Sequence, residues 1–170
     1  MEQSAHFFNG AFGEKWAFYN EFWDSSSFKI PFSEQVHLSE FIQNSDIDFS
    51  NSDTICLVQS ETSNGTGQTI RRKDFSKSSN AIIAVDATSS MGGIELPWIE
   101  ADVWFASVQK CMGLQAERTI QFSWNSNTSA LSRTMYLIDS SQGITLNGIT
   151  DTGNPSAFKT SVSDTLNLFS

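Results

Sequence analysis

Cationic side chains are scarce in this chain: Lys and Arg number 10 against 19 Asp and Glu, a formal charge of -9. Such a surface repels phosphate backbones, so nucleic acid is not an expected partner. The two cysteines, Cys56 and Cys111, supply neither a disulfide framework nor a four-ligand zinc site. His6 and His37 stand far apart with no Cys or acidic cluster at ligand spacing, so no metal site is expected. No run approaches the ~18 apolar residues that a membrane span needs. Met1-Glu2-Gln3-Ser4 has neither the basic nor the apolar region of a signal peptide. In that setting the Asn64-Gly65-Thr66 and Asn127-Thr128-Ser129 triplets are incidental rather than glycosylation sites. Gly65-Thr66-Gly67 leads into no Gly-Lys-Ser/Thr, which excludes a phosphate loop. What remains is an acidic, soluble, cytoplasmic domain.

Bulky apolar groups are plentiful. The 170 residues include 14 Phe and 5 Trp and are 39% hydrophobic. That excludes a disordered chain and suits one domain with a real core, while leaving too little for two. Composition shifts near residue 115: residues 1–114 hold 22 of the 29 charged side chains, and 23 of the last 56 residues are Ser, Thr or Asn. Those short polar side chains compete with regular backbone pairing, so residues 115–170 read as a divergent tail whose packing the pattern does not predict.

The first part alternates strands and helices. Ala5-His6-Phe7-Phe8 is a short strand ended by the Asn9-Gly10 turn. Trp16, Tyr19, Phe22 and Trp23 recur at helical spacing over Glu14 to Trp23, and Val36 to Ile42 is a weaker helix. Ile55 to Gln59, Ala81 to Val85 and Val103 to Ser107 are buried-strand runs; Arg71 to Ser78 is a short surface helix or a loop. Continuous apolar strands separated by polar segments predict an α/β fold with a mostly parallel sheet and flanking helices. In the tail, Thr119 to Trp124 alternates like a strand and Thr134 to Ile138 is a candidate for another, with turn clusters at 141–143 and 151–155.

Polar clusters follow three of these strands: Ser60 to Gly67, Asp86 to Gly93, and Gln109-Lys110. In open α/β sheets ligands bind beyond the carboxyl ends of the strands, and parallel connections bring these ends to one edge. Asp86 by itself reads as a turn aspartate and Lys110 as a solvated lysine. Position raises both. Lys110 follows an apolar strand and precedes Cys111-Met112-Gly113-Leu114, which predicts a poorly solvated setting. Desolvation favours a neutral amine, and a neutral amine attacks carbonyl carbon. A lysine that forms a Schiff base, with an aspartate against a pyridinium nitrogen, is what a protein contributes to pyridoxal phosphate chemistry.

Four segments, in order, carry a family resemblance: Phe8 to Trp16, Glu61 to Gly65, Val85 to Gly93, and Ala101 to Leu114. On these, residues 6–114 resemble the cofactor-binding large domain of class V aminotransferases, of fold type I, and most of all phosphoserine aminotransferases. The resemblance implies a pyridoxal 5'-phosphate cofactor and a partial large domain over 1–114. It implies Lys110 as the catalytic, cofactor-bound lysine and Asp86 as the partner of the pyridinium nitrogen. It also implies Thr62 at the ring's phenolic oxygen, Gln109 at the phosphate and Phe12 stacked on the ring. Each has a plainer alternative: Phe12 as a core aromatic, Thr62 as a turn cap, Gln109 as a strand-end amide. The implied reaction is transfer of an amino group between phosphoserine and 2-oxoglutarate in serine biosynthesis, by a homodimer acting on small amino and 2-oxo acids.

The family's chains are about twice as long, and the likeness stops at Gln115-Ala116-Glu117-Arg118, where a Pro-Gly-rich turn is expected. None of Arg71, Arg72, Arg118 and Arg133 matches the arginine that binds the substrate carboxylate in the family. The expectation is a truncated or frameshifted reading frame. A catalytically incompetent fragment or interaction module is therefore the alternative to an active enzyme. Among enzymes, the alternatives are an alanine–glyoxylate aminotransferase-like member or a cysteine desulfurase, the latter requiring a mobile cysteine loop that neither Cys56 nor Cys111 provides.

Overall fold

A computed structural model describes residues 3–23 and 26–113, and the backbone of 118–125, 132–139 and 144–151. Its strands are β1 (Ser4–Phe8), β2 (Phe28–Pro31), β3 (Thr54–Val58), β4 (Ser60–Glu61), β5 (Thr66–Gly67), β6 (Ile82–Asp86), β7 (Val103–Ser107), β8 (Arg118–Asn125), β9 (Ser132–Asp139) and β10 (Ile144–Asp151). Helices α1 (Ala11–Trp23) and α2 (Leu38–Asn44) and a short 3-10 helix at Arg72–Ser78 complete the part that positions the site. One sheet runs in the order β10-β9-β8-β7-β6-β3-β1-β2, and β4 and β5 form a separate small hairpin. Neighbours from β7 through β2 are all parallel. From β7 to β10 the pairing turns antiparallel.

Register sorts the side chains onto two faces. The rungs Ala5–Ile55–Ile83 and Phe7–Leu57–Val85–Trp104 lie on one face, and all seven side chains are buried. Phe49 and Phe75 meet Phe7 edge-on at 5.3 and 5.7 Å, and Leu38 and Ile42 of α2 join the same core. Burying a side chain of this size contributes roughly 1.5–3 kcal/mol, so this face holds most of the folding energy.

Helix α1 lies over the other face. Trp16 meets His6 at 5.3 Å and Phe105 at 5.2 Å, both edge-on. A Cβ at Gly13 would stand 2.6 Å from Phe8 Cβ, so only glycine lets the helix approach this closely. The helix begins three residues before the expected Glu14. Its aromatic periodicity is only partly a burial signal: Trp16 packs on the sheet, whereas Tyr19 is exposed and Phe22 is 77% exposed. Away from α1 this face is less covered, with Ile82 exposed and Ala84 and Val103 half-buried.

Strand β2 was not expected, because four residues ending in Pro31 give a weak strand signal. It sits at the sheet edge, where a proline without a donor is tolerated. The two strand readings in the tail, 119–124 and 134–138, fall within β8 and β9; β10, interrupted by Gly148, was not anticipated. The turn at 141–143, and all of 151–155 but Asp151, lie outside the described residues.

His6 is 2% exposed and its Nε2 has no hydrogen-bond partner among the described residues. Burial pushes its pKa from 6.5 down to about 4. The unfolded chain therefore binds one more proton than the folded chain between those values. This histidine's contribution is complete above pH 6.5 and declines as pH falls toward 4, by about 3 kcal/mol in all at about 1.4 kcal/mol per unit. Urea titrations of wild type and His6→Leu between pH 7 and 5, above the main carboxylate range, should show a decline in the first that is shallower in the second.

Candidate functional site

The carboxyl ends of β1, β3, β6 and β7 share one edge of the sheet, because these strands are parallel. Phe12 follows β1, Thr62 follows β3, Asp86 closes β6, and Gln109 and Lys110 follow β7. The last rung is Val58–Asp86–Phe105, on the face that α1 covers. The absent Cβ of Gly13 would lie 3.3 Å from Val58 Cγ2, so the first turn of α1 stands over the rung that carries Asp86.

Asp86 is half-buried, and its Oδ1 accepts the Thr88 N–H at 2.8 Å. Its pKa is raised, mainly by burial; the Thr88 hydrogen bonds oppose the rise and the nearby Glu61 carboxylate adds to it. Among the described residues no basic side chain forms an ion pair with it. The sign is that of a carboxylate costly to hold ionised, and a cation set against it would offset that cost.

The loop after β7 is fastened to the loop after β6. The Ser107 N–H donates to Thr88 Oγ1 at 3.1 Å, and Cys111 Sγ reaches the Ser89 carbonyl at 3.6 Å. Gln109 Oε1 accepts a short hydrogen bond from Ser107 Oγ. Lys110 itself is exposed, which corrects the poorly solvated setting expected from its neighbours. The apolar residues beside it in sequence do not enclose it: Cys111 and Gly113 are exposed too, and Leu114 lies outside the described residues.

Thr62 is exposed in the turn between β4 and β5. Phe12 is 52% exposed, in the first turn of α1, and is not a core aromatic. The structure thus brings the four loops to one edge, with Phe12, Thr62, Gln109 and Lys110 solvent-facing and Asp86 half-buried.

Sequence reasoning placed Glu61 in the polar cluster but gave it no role. It is 1% exposed. Its Oε2 accepts the Phe12 and Gly13 N–H groups at 3.1 and 3.0 Å, and its Oε1 accepts Ser63 N–H and Oγ–H at 3.2 and 2.6 Å. Ser63 Oγ in turn accepts the Ala11 N–H at 2.9 Å. Asn64 Nδ2 donates to the Asn9 carbonyl at 2.7 Å, and Asn9 Nδ2 to Thr66 Oγ1 at 3.0 Å. The signal was a negative one: α1 starts after Asn9-Gly10 with no capping box of its own, so its cap had to come from elsewhere.

No protein-family model matches the chain. Phosphoserine aminotransferases of Rhodococcus opacus and Rhodococcus jostii are 41% identical to it over 59 residues, which are 35% of this chain. That match spans 15% of the length of these curated relatives. Among solved structures, a phosphoserine aminotransferase from Cytophaga hutchinsonii aligns with a TM-score of 0.59 at 27% identity, over 68% of this chain and 32% of that one. An alanine–glyoxylate aminotransferase from Nostoc sp. shares the fold with a TM-score of 0.60 at 18% identity, over 74% of this chain and 35% of that one. The described chain therefore has the aminotransferase fold, over about a third of the length of those enzymes. Within that class, both the sequence match and the Cytophaga structure are to phosphoserine aminotransferases.

A methyl group at Gly10 would lie 2.3 Å from Glu61 Cγ and 2.7 Å from Ser63 Oγ. Gly10→Ala is expected to displace the Glu61 carboxylate and to cost ~1–3 kcal/mol, as overpacking does. Chemical denaturation of the two proteins measures it.

Proposed function

We propose that this chain is the cofactor-facing part of a pyridoxal-phosphate-dependent aminotransferase. In this reading it transfers an amino group between phosphoserine and 2-oxoglutarate, in serine biosynthesis, as a cytoplasmic homodimer. Residues 1–114 form the cofactor-binding part and 115–170 the divergent tail. One observation carries the reading: the four loops bearing Phe12, Thr62, Asp86 and Gln109-Lys110 share one sheet edge. Among the described residues no helix is long and apolar enough to cross a membrane.

The residues suit the group. Asp86, with its raised proton affinity, is matched to a protonated ring nitrogen. Phe12 offers an exposed ring for stacking, worth ~0.5–1.5 kcal/mol beyond buried area. Thr62 offers a hydroxyl to the ring's phenolic oxygen, and Gln109 an amide to the phosphate. When bound, pyridoxal phosphate supplies an aldehyde for the amino group and a ring that accepts electrons. Lys110 Nζ would hold the cofactor's aldehyde carbon and would serve as the base for the proton at the substrate Cα. Asp86 would pair with the ring nitrogen and favour its protonated form.

The exposure of Lys110 favours a second reading, in which the chain keeps the fold without catalytic competence. An absorbance titration separates the two. The wild-type protein with pyridoxal phosphate should develop a visible band that borohydride fixes, and should melt higher with cofactor than without. Lys110→Ala should abolish the band, and Asp86→Ala should weaken cofactor retention at least tenfold. A wild-type protein with neither band nor thermal shift overturns the aminotransferase reading in favour of the second.

A further inference from the structure

The first three amides of α1 have no acceptor within the helix, and all three are met by side chains about fifty residues away. Ala11 donates to Ser63 Oγ, and Phe12 and Gly13 both donate to Glu61 Oε2. The first intrahelical bond is Glu14 N–H to the Gly10 carbonyl at 3.0 Å. The Glu61 carboxylate is almost wholly buried, yet both its oxygens are satisfied, by four donors in all. The arrangement needs a bare backbone at Gly10, since a Cβ would occupy the space of Glu61 Cγ.

The arrangement joins two residues of the site. Phe12 is tied through its own amide, and Thr62 lies between the two residues that do the tying, Glu61 and Ser63. We infer that Glu61 is a positioning residue: by holding the Phe12 and Gly13 amides on one oxygen and Ser63 on the other, it sets the Phe12 ring relative to the Thr62 hydroxyl. The inference rests on the aminotransferase reading only for what Phe12 and Thr62 hold; the tie itself needs no cofactor. A neutral amide at this position keeps one acceptor and gains a donor that faces other donors, so it cannot serve both sides. The negative charge at the positive end of α1 adds to the hold, and it also stands near enough to Asp86 to raise that group's proton affinity.

Two measurements on the full chain test this. Without cofactor, the Phe12 and Gly13 amides should exchange with solvent at least tenfold faster in Glu61→Gln than in wild type; unchanged exchange overturns the inference. With pyridoxal phosphate as probe, Glu61→Gln should raise Kd about tenfold in the wild-type background and less than twofold in Phe12→Ala, while lowering Tm equally in both. An equal loss of affinity in both backgrounds makes Glu61 a merely structural cap and overturns its role in placing Phe12. If Glu61→Gln fails to fold, Ser63→Ala keeps the charge and removes one anchor. It should speed exchange at Ala11 and raise Kd about threefold, again only when Phe12 is present; no change in either overturns the inference. A wild-type chain that retains no cofactor overturns the proposed function, and the exchange data then decide the tie alone.

Discussion

A helix cannot satisfy the amides of its own first turn, and in this chain that deficit ties the loop after β1 to the loop after β3 at the carboxyl edge of the sheet. Helix α1 starts directly after β1 and offers three unmatched donors. The loop after β3 answers them with a buried carboxylate and a hydroxyl. An ionised acceptor makes stronger hydrogen bonds than a neutral one, and it complements the positive end of the helix. Two loops that are distant in sequence thereby become one unit, and the small hairpin of β4 and β5 is fixed against the turn that leaves β1.

The sheet supplies the frame for that unit. Its fully buried face, with Phe7, Leu57, Val85 and Trp104 on one rung, makes register costly to change. A slip of one residue would put Asp86 on the wrong face. Register is thus what holds the acid under the first turn of α1, and packing at Gly13 sets how near that turn comes. The edge therefore carries one half-buried carboxylate with raised proton affinity, and exposed Phe12, Thr62, Gln109 and Lys110 on the loops that share that edge.

Much of this was legible in the sequence, for a simple reason. Ile55 to Val58, Ile82 to Val85 and Val103 to Ala106 are apolar runs too short for helices, and central parallel strands look like that. The polar clusters after them mark the shared edge, and the resemblance implies roles for Lys110 and Asp86 there. Less legible was anything set by a partner far along the chain. Glu61 looks like any loop acid until its four donors are seen. The aromatic spacing of α1 suggests an amphipathic stripe, yet Tyr19 and Phe22 face outward, because periodicity reports a face and not what lies against it. Lys110 shows the same limit: apolar sequence neighbours do not enclose a side chain that leaves the loop toward water.

Two pairings that bound the loops of this edge differ in how much chain they close. Ser107 pairs with Thr119, so the segment carrying Gln109 and Lys110 is bounded by an antiparallel pair only about a dozen residues apart. The tie from Glu61 to Phe12 spans 49 residues. Loop-closure entropy grows with the logarithm of length, which separates the two by about 1 kcal/mol. The shorter closure is the cheaper one in chain entropy, and the longer one depends on β1 and β3 being paired. The edge is thus closed over two very different lengths of chain, a short one around Gln109 and Lys110 and a long one between α1 and the loop after β3.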